Sequence, residues 1–417
     1  MRFVHMADIH FDTPFRVLAS KKDLADKRRL EQREAFTRAI EYVKENNIPF
    51  LFISGDLYEQ EYIRESTIVF INNLFKEIPN TKIFISPGNH DPYLNNSFYN
   101  TFNWNNNVTI FGGQIKRIEL EEADIYGYGF SDFYCTNSNV DEIEIKNKEK
   151  INILITHGSL NASKTQDLQY NPVSSVKLKK VGFDYVALGH IHKANYKNNE
   201  DNFIYSGSLI SFGFDELGEH GILDIEINKN NYEKNYLNNL EIKNNYEENN
   251  LNNLEFKNNY EKNILNNLKI ENNYKENIKN YFTDEIKNEK NARIRFVKIE
   301  KEKFVEKNIN IDDVNSEEDV IEKLNDEEYE KEKFYKIILE GSKKIELNPK
   351  RICKLVNNKN ILKVKDKIEC EYDFDKLAEQ KNLKGMFVKN LLEKIKKHPE
   401  DRTKIEEALK IGLKMFE

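Results

Sequence analysis

The 417-residue chain predicts an α/β protein with a smaller α+β domain and C-terminal helices behind it. Three observations predict this. Short apolar runs recur at Phe3-Val4, Phe50 to Ile53, Ile83 to Ile85, Ile151 to Ile155 and Tyr185 to Leu188. They are rich in Ile, Val and Phe and do not alternate with polar residues, the pattern of strands buried on both faces. Between the first two runs, Leu24 to Asn46 carries Phe36, Ile40 and Val43 at helical spacing, so a helix crossing between parallel strands is expected. Strand and helix patterns then resume beyond residue 286 and end in two amphipathic segments.

In chain order, residues 1–227 form the α/β domain. Residues 228–285 are a low-complexity insertion. Asn-Asn-Tyr-Glu begins at Asn230, Asn244 and Asn258, with Asn-Asn-Tyr-Lys at Asn272, a 14-residue repeat. At about 100° per residue the Tyr and Leu positions of one unit make no single helical stripe, and asparagine favours neither helix nor strand. An expanded hairpin turn between Gly221–Ile227 and Ala292–Ile299 is the expectation, since closure entropy grows only logarithmically with loop length. Residues 286–380 read as an α+β cap domain: a strand near Arg293, a helix opening at the capping-box segment Ser316-Glu317-Glu318-Asp319, and a strand from Tyr335 to Leu339. Residues 381–417 read as two helices split at Pro399. Phe387, Leu391, Leu392 and Ile395 line one; Ile405, Ala408, Leu409, Gly412, Leu413 and Phe416 line the other.

Composition narrows the function. The net charge is −7, which supplies no overall attraction for a polyanion, so nucleic acid would need a local groove, a metal or a partner. The chain contains no apolar run of membrane-spanning length, and its first residues enter a strand without a signal peptide's pattern. The three cysteines, Cys135, Cys353 and Cys370, are scattered and suggest neither a disulfide framework nor a metal pair. A cytoplasmic protein is expected.

Each of the five apolar runs is followed directly by polar groups of metal-binding type. In order these are Asp8-Ile9-His10, Gly55-Asp56, Gly88-Asn89-His90-Asp91, Thr156-His157-Gly158 and Gly189-His190-Ile191-His192. Ligands gather at the carboxyl ends of strands in open α/β sheets. On an extended segment, side chains two residues apart face the same way, which would let Asp8 with His10, and His190 with His192, each grip one ion. Singly, an Asp-x-His or a Gly-Asp is an ordinary turn or cap. Five such motifs holding five of the eight histidines are not. The other three take ordinary roles: His5 in the core of the first strand, His220 in a loop and His398 at a helix boundary.

The ordered set resembles the calcineurin-like metallophosphoesterase superfamily. Within it, residues 1–227 resemble the SbcD-type DNA repair exonucleases, closest to the YhaO-like branch. The match is carried by Asp8-Ile9-His10-Phe11, Pro87-Gly88-Asn89-His90-Asp91-Pro92, the segment from Gly182 through Gly189-His190-Ile191-His192-Lys193, Tyr205-Ser206-Gly207-Ser208 and Ala408 to Leu413. The resemblance implies a four-layer αββα sandwich with two metal ions. Asp56 would bridge them; Asp8, His10 and His192 would complete one site, and Asn89, His157 and His190 the other. That donor mixture suits Mn²⁺, with Fe or Zn as alternatives. His90 is left free to protonate the leaving oxygen, oriented by a hydrogen bond to Asp91. Some relatives carry a second histidine where this chain has Glu59, so that role is not transferred, and Ser206 stands where proline is common.

The resemblance further implies DNA as substrate, an SbcC-like ATPase docking on the C-terminal helices, and a homodimer. Alternatively those helices bury their apolar faces against the protein itself. ATP use would come from a partner, because the chain has no Gly-x-x-x-x-Gly-Lys-Ser/Thr motif. Two other functions fit the motifs less well. A phosphodiesterase for nucleotides or cyclic nucleotides leaves the extra domain unexplained, and a non-enzymatic scaffold sits badly with seven intact ligand candidates.

Overall fold

The computed structural model describes residues 1–15, 18, 22–162, 167–198, 202–229, 282–287, 292–342, 347–368 and 374–414. The repeat beginning at Asn230 therefore lies outside the described residues, as do Cys370 and Phe416. The chain divides into two compact units, Met1–Phe304 and Val305–Glu417.

The first unit is built on two sheets. Its elements in chain order are β1 (Arg2–Met6), α1 (Lys22–Glu45), β2 (Phe50–Ile53), α2 (Glu65–Lys76), β3 (Lys82–Ile85), the short α3 (Phe98–Thr101), β4 (Val108–Ile110), β5 (Lys116–Glu119), β6 (Ala123–Tyr128), β7 (Ile151–His157), α4 (Ser175–Val181), β8 (Tyr185–Gly189), β9 (Phe203–Tyr205), β10 (Gly221–Ile227), β11 (Phe282–Lys287) and β12 (Ala292–Lys298). One sheet runs β11-β12-β10-β1-β2-β3-β4 and the other β5-β6-β7-β8-β9. β1, β2 and β3 are parallel neighbours, as are β7 and β8. The five apolar runs thus divide three to one sheet and two to the other. Phe3, Phe52 and Phe84 from the first sheet, with Phe111 just past β4, share one buried core with Ile125, Ile153, Ile155 and Tyr185 from the second. On the second sheet's other face, Leu154, Val186 and Leu188 pack with Leu178 of α4. α1 and α2 meet through Phe36 and Phe75, ring centroids 6.0 Å apart. Helices flank two facing sheets, which is the expected sandwich.

β10 and β12 pair antiparallel as expected, Gly221 opposite Lys298. They do not form a hairpin: β11 (Phe282–Lys287), which straddles the expected end of the insertion, lies between them in the chain. In the sheet β11 adds beyond β12. That pairing moves a domain boundary. The sequence put the cap domain's start at 286, but β12 belongs to the first sheet, so the division falls after Phe304.

The second unit holds a three-stranded sheet of β13 (Lys303–Asn310), β14 (Lys333–Glu340) and β15 (Ile361–Asp366), with α5 (Glu317–Asp326) and α6 (Pro349–Leu355). The predicted capping box closes α5: the Ser316 hydroxyl accepts from Asp319 N–H, and the Asp319 carboxylate accepts from Ser316 N–H. Three helices end the chain: α7 (Phe374–Ala378), α8 (Leu383–Lys397) and α9 (Arg402–Lys414). Val388, Leu409 and Leu413 are buried among Phe374, Leu377, Phe387, Leu391, Leu392 and Ile395, so these helices cover much of their apolar surface on one another. Leu383, Met386 and Ile411 stay exposed. Among the described residues no helix is long and apolar enough to cross a membrane.

Candidate metal centre

The polar motifs that follow β1, β2, β3, β7 and β8 converge on one point. Three overlapping groups have ligand atoms within 4.8 Å of one another: Asp8, His10 and His192; His10, Asp56 and His90; Asp8, Asp56 and His157. Asp56, Asp8 and His10 each belong to two of the groups, and the Asp56 Oδ2 lies 3.6 Å from His10 Nε2 and 3.3 Å from His157 Nε2. His157 Nε2 is also 3.0 Å from Asn89 Oδ1. His190 is placed differently. Its backbone N–H donates to Asp8 Oδ1 at 3.0 Å, while its ring stands beside His157, centroids 5.3 Å apart, outside those three groups.

The local backbone departs from the extended geometry expected of Asp8 and His10. Asp8, His10 and Asp56 all sit in the left-handed region, at φ of 53°, 52° and 52°. Non-glycine residues pay for that conformation and keep it where surroundings over-determine it. The i, i+2 rule of strands is therefore not what brings Asp8 and His10 together; the left-handed backbone just past β1 does. Close approach also explains Gly88, where a Cβ would fall 2.2 Å from Asp56 Oδ1.

Three imidazoles are locked from behind. His10 Nδ1 bonds Glu59 Oε1 at 2.8 Å, His192 Nδ1 bonds Glu216 Oε1 at 2.6 Å, and His157 Nδ1 bonds the Ser54 carbonyl at 2.9 Å. A carboxylate or carbonyl oxygen only accepts, so each Nδ1 carries the hydrogen and each Nε2 of a neutral ring is a bare lone pair. Those lone pairs face electron-rich atoms. His10 Nε2 and His192 Nε2 are 3.2 Å apart, and His157 Nε2 looks at two oxygens. Such an arrangement repels unless a positive charge sits in it, either a proton or a cation. Outer acceptors that fix the tautomer in this way are the usual support of metal-bound histidine. The donor set therefore fits divalent metal.

Without a cation, protonation of a ring relieves the same repulsion, and the surrounding carboxylates favour it. Burial disfavours the charged ring, but the Asp56 carboxylate raises His157 to about 9. His192 reaches about 9 against the same burial penalty, through its Glu216 bond and the charges of Asp8 and Asp56. His190 goes the other way, to about 3, because burial and the neighbouring His157 both oppose its charge. A divalent cation held by the His157 and His192 rings would displace those protons, so its binding would release them.

The sequence expectation for Asp91 needs correction. It was expected to orient His90. Its carboxylate is fully buried and instead accepts from the backbone N–H groups of Asp56 (3.0 Å), Leu57 (2.6 Å) and Gly88 (2.7 Å) and from the Tyr99 hydroxyl. Four inward donors hold it away from the ring and make it a clamp on the Asp56 turn. Burial and the nearby Asp56 charge push its pKa up to about 7. The carboxylate that bonds His90 Nδ1 is Glu59, through Oε2 at 2.9 Å. Burial opposes the His90 charge, yet the Glu59 bond with the Asp56, Glu59 and Asp91 carboxylates lifts it to about 9. Glu59 thus serves two rings, and its own carboxyl is held down near 2 against burial. Glu216 escaped sequence reasoning altogether: it lies 24 residues from His192 on a loop that carries no motif.

A cavity of about 510 Å³ opens in front of His90, Asn89 and Glu59.

The family profile for calcineurin-like phosphoesterase matches residues 1–194. The chain is 30% identical over 271 residues to the SbcD component of the SbcCD nuclease of Staphylococcus epidermidis, covering 55% of this chain and 67% of that one. It is 26% identical over 231 residues to the uncharacterized metallophosphoesterase YhaO of Bacillus subtilis, covering 53% of this chain and 56% of that protein, little more than half its length. The chain belongs to the calcineurin-like phosphoesterase family, on the side of it that includes the SbcD nuclease subunit.

Proposed function

We propose that the protein is a Mn²⁺-dependent DNA nuclease, a repair exonuclease subunit that works with an SbcC-like ATPase. The observation that carries the hydrolytic part is the set of bare imidazole nitrogens around the Asp56 carboxylate, locked from behind by Glu59, Glu216 and Ser54. Asp8, His10 and His192 would hold one cation, Asn89, His157 and His190 the other, with Asp56 between them. Two cations there would supply Lewis-acid polarisation of the phosphoryl oxygens and a nucleophile at neutral pH. Mixed carboxylate, amide and imidazole donors suit Mn²⁺, with Fe or Zn as alternatives.

The remaining chemistry belongs to the chain's own groups. His90 stands half-exposed on the cavity wall with Nδ1 anchored by Glu59. The Glu59 bond favours its protonated form, from which a proton can pass to the leaving oxygen. Asp91 clamps the turn that presents Asp56 and is a positioning residue. DNA as the substrate is supported by kinship to a nuclease subunit. The same kinship, with Leu383, Met386 and Ile411 left exposed on α8 and α9, supports a helical docking site for the ATPase. A cytoplasmic homodimer completes the reading.

The test is to load the protein with Mn²⁺ and assay bis-p-nitrophenyl phosphate, single-stranded DNA and duplexes with defined ends, alone and with a candidate ATPase. Cleavage of all three classes is expected. Hydrolysis of the small diester with every DNA left intact would sink the nuclease assignment and point to a nucleotide phosphodiesterase.

A further inference from the structure

The cavity before the metal centre has a wall that hydrolysis does not require. Phe15, Tyr62, Phe133, Tyr134, Tyr170 and Phe212 line it. Phe15 and Phe212 are accounted for by packing, since they stack on each other with centroids 5.8 Å apart and Phe15 is 4% exposed. The others are not. Tyr134 is 60% exposed and Phe133 37%. The Tyr134 ring lies 6.1 Å from that of Tyr170, inclined by 32°, and Tyr170 lies 5.1 Å from His190, inclined by 37°. Aromatic rings thus step from the cavity mouth to a candidate metal ligand. They are pre-positioned, because Cys135 N–H donates to the Gln169 carbonyl at 2.8 Å and Asn171 N–H donates to the Cys135 carbonyl at 2.6 Å.

The charge on the wall selects among ligands. Glu61 and Asp215 join Glu59 and Glu216 there, and no lysine or arginine is among the described lining residues. Carboxylates repel the phosphates of a DNA backbone, whereas they accept from the exocyclic amines of bases. A cavity of about 510 Å³ has the size of a small-molecule site, too small to enclose a duplex. Exposed aromatic faces with acceptor edges match a nucleobase that has left its stack.

Resting on the nuclease reading above, we propose that Tyr134 and Tyr170 form a stacking platform for an unpaired nucleobase next to the scissile phosphate. The preferred DNA is then single-stranded or frayed at its end, and Tyr134 sets that preference.

The test uses the full chain with Mn²⁺ and an oligonucleotide in which one abasic nucleotide is walked along the strand. Stacking on an aromatic side chain is worth ~1–3 kcal/mol per base, roughly a five- to 150-fold effect. One position beside the cleaved bond should therefore lower kcat/KM by at least about fivefold, and end-frayed duplexes should be cleaved faster than ends clamped by G·C pairs. Tyr134→Ala should cause the same loss on the intact strand, and the two losses should coincide instead of adding. Tyr134→Phe should retain the preference. Base-indifferent cleavage by the unmodified protein, or losses that simply add, would overturn the platform while leaving the nuclease reading standing. If every oligonucleotide survives while bis-p-nitrophenyl phosphate is hydrolysed, both fall together.

Discussion

His157 and His192 present the same nitrogen to the same centre, but different things hold them. His157 is fully buried, and its Nδ1 is held by the Ser54 backbone carbonyl just past the end of β2. His192 is 27% exposed and is held by the Glu216 carboxylate, a side chain on a loop. A carbonyl cannot be mutated away, so one side of the centre is protected from simple substitution. The other depends on a single residue and is open to tuning. The two sides should therefore fail in different ways, and the group they share should fail hardest.

Asp56 is that shared group. Replacing it with Ala removes the oxygen near both His10 and His157. Hydrolysis of bis-p-nitrophenyl phosphate should fall by about three orders of magnitude or more, because the proposed two-metal chemistry would lose its bridge. Metal analysis should show both ions depleted. Retention of two ions per chain would mean that Asp56 does not bridge.

The buried side can be broken only through backbone. A Cβ on Gly189 would lie 1.9 Å from the Ser54 carbonyl and 2.8 Å from His157 Nδ1. Gly189→Ala must displace that carbonyl, costing about 1–3 kcal/mol as overpacking. Misplacing a catalytic group by about 1 Å costs on the order of a hundredfold in rate. A lower Tm together with a strong activity loss is expected; an unshifted Tm would show that the strands yield without cost. On the looser side, Glu216→Gln keeps the shape but lets the amide donate, so the His192 tautomer is no longer specified. Metal affinity should drop by about tenfold to a hundredfold with little change in Tm. Isothermal titration with Mn²⁺ would measure it, and an unchanged Kd would remove Glu216 from the centre's support.

This contrast also explains what was legible in the sequence. The candidate ligands lie at strand ends, and strand ends are local signals: an apolar run followed by Asp, Asn or His can be seen in a window of a few residues. Glu216 was invisible because its role arises when a loop folds back on His192. Ser54 was invisible because the group that acts is its carbonyl, which every residue has. The left-handed backbone at Asp8 and His10 defeated the strand rule, since both lie past the end of β1. The domain boundary failed for a related reason: Arg293 to Phe296 reads as a strand in either unit, and only its pairing with β10 assigns it. Asp91 was misjudged because its neighbour in sequence is not its partner in space.

Glu59 is the most delicate point of the comparison, because it locks His10 and holds His90 at once. In the metal-free protein its pKa is depressed from the ordinary 4.5 to about 2, so its contribution to stability is full above 4.5 and is lost as pH falls through about 2. His90 is raised from 6.5 to about 9, so its contribution is full below 6.5 and is lost as pH rises through about 9. Both are intact together between those limits, from 4.5 to 6.5. Glu59→Gln removes the pair, and His90 should then titrate closer to 6.5 by NMR in EDTA. The Tm difference between the two proteins should be greatest in that window and shrink as pH passes about 9. The pH-dependent, His90 part of the underlying stability difference should be small, below about 1 kcal/mol, because the His90 side chain is 46% exposed and solvent screens the pair. Taking the difference cancels the titration of His157 and His192 to the extent that Glu59 leaves them unchanged. A Tm difference that is flat with pH would mean that Glu59 supports His10 alone, and that something else must keep His90 charged.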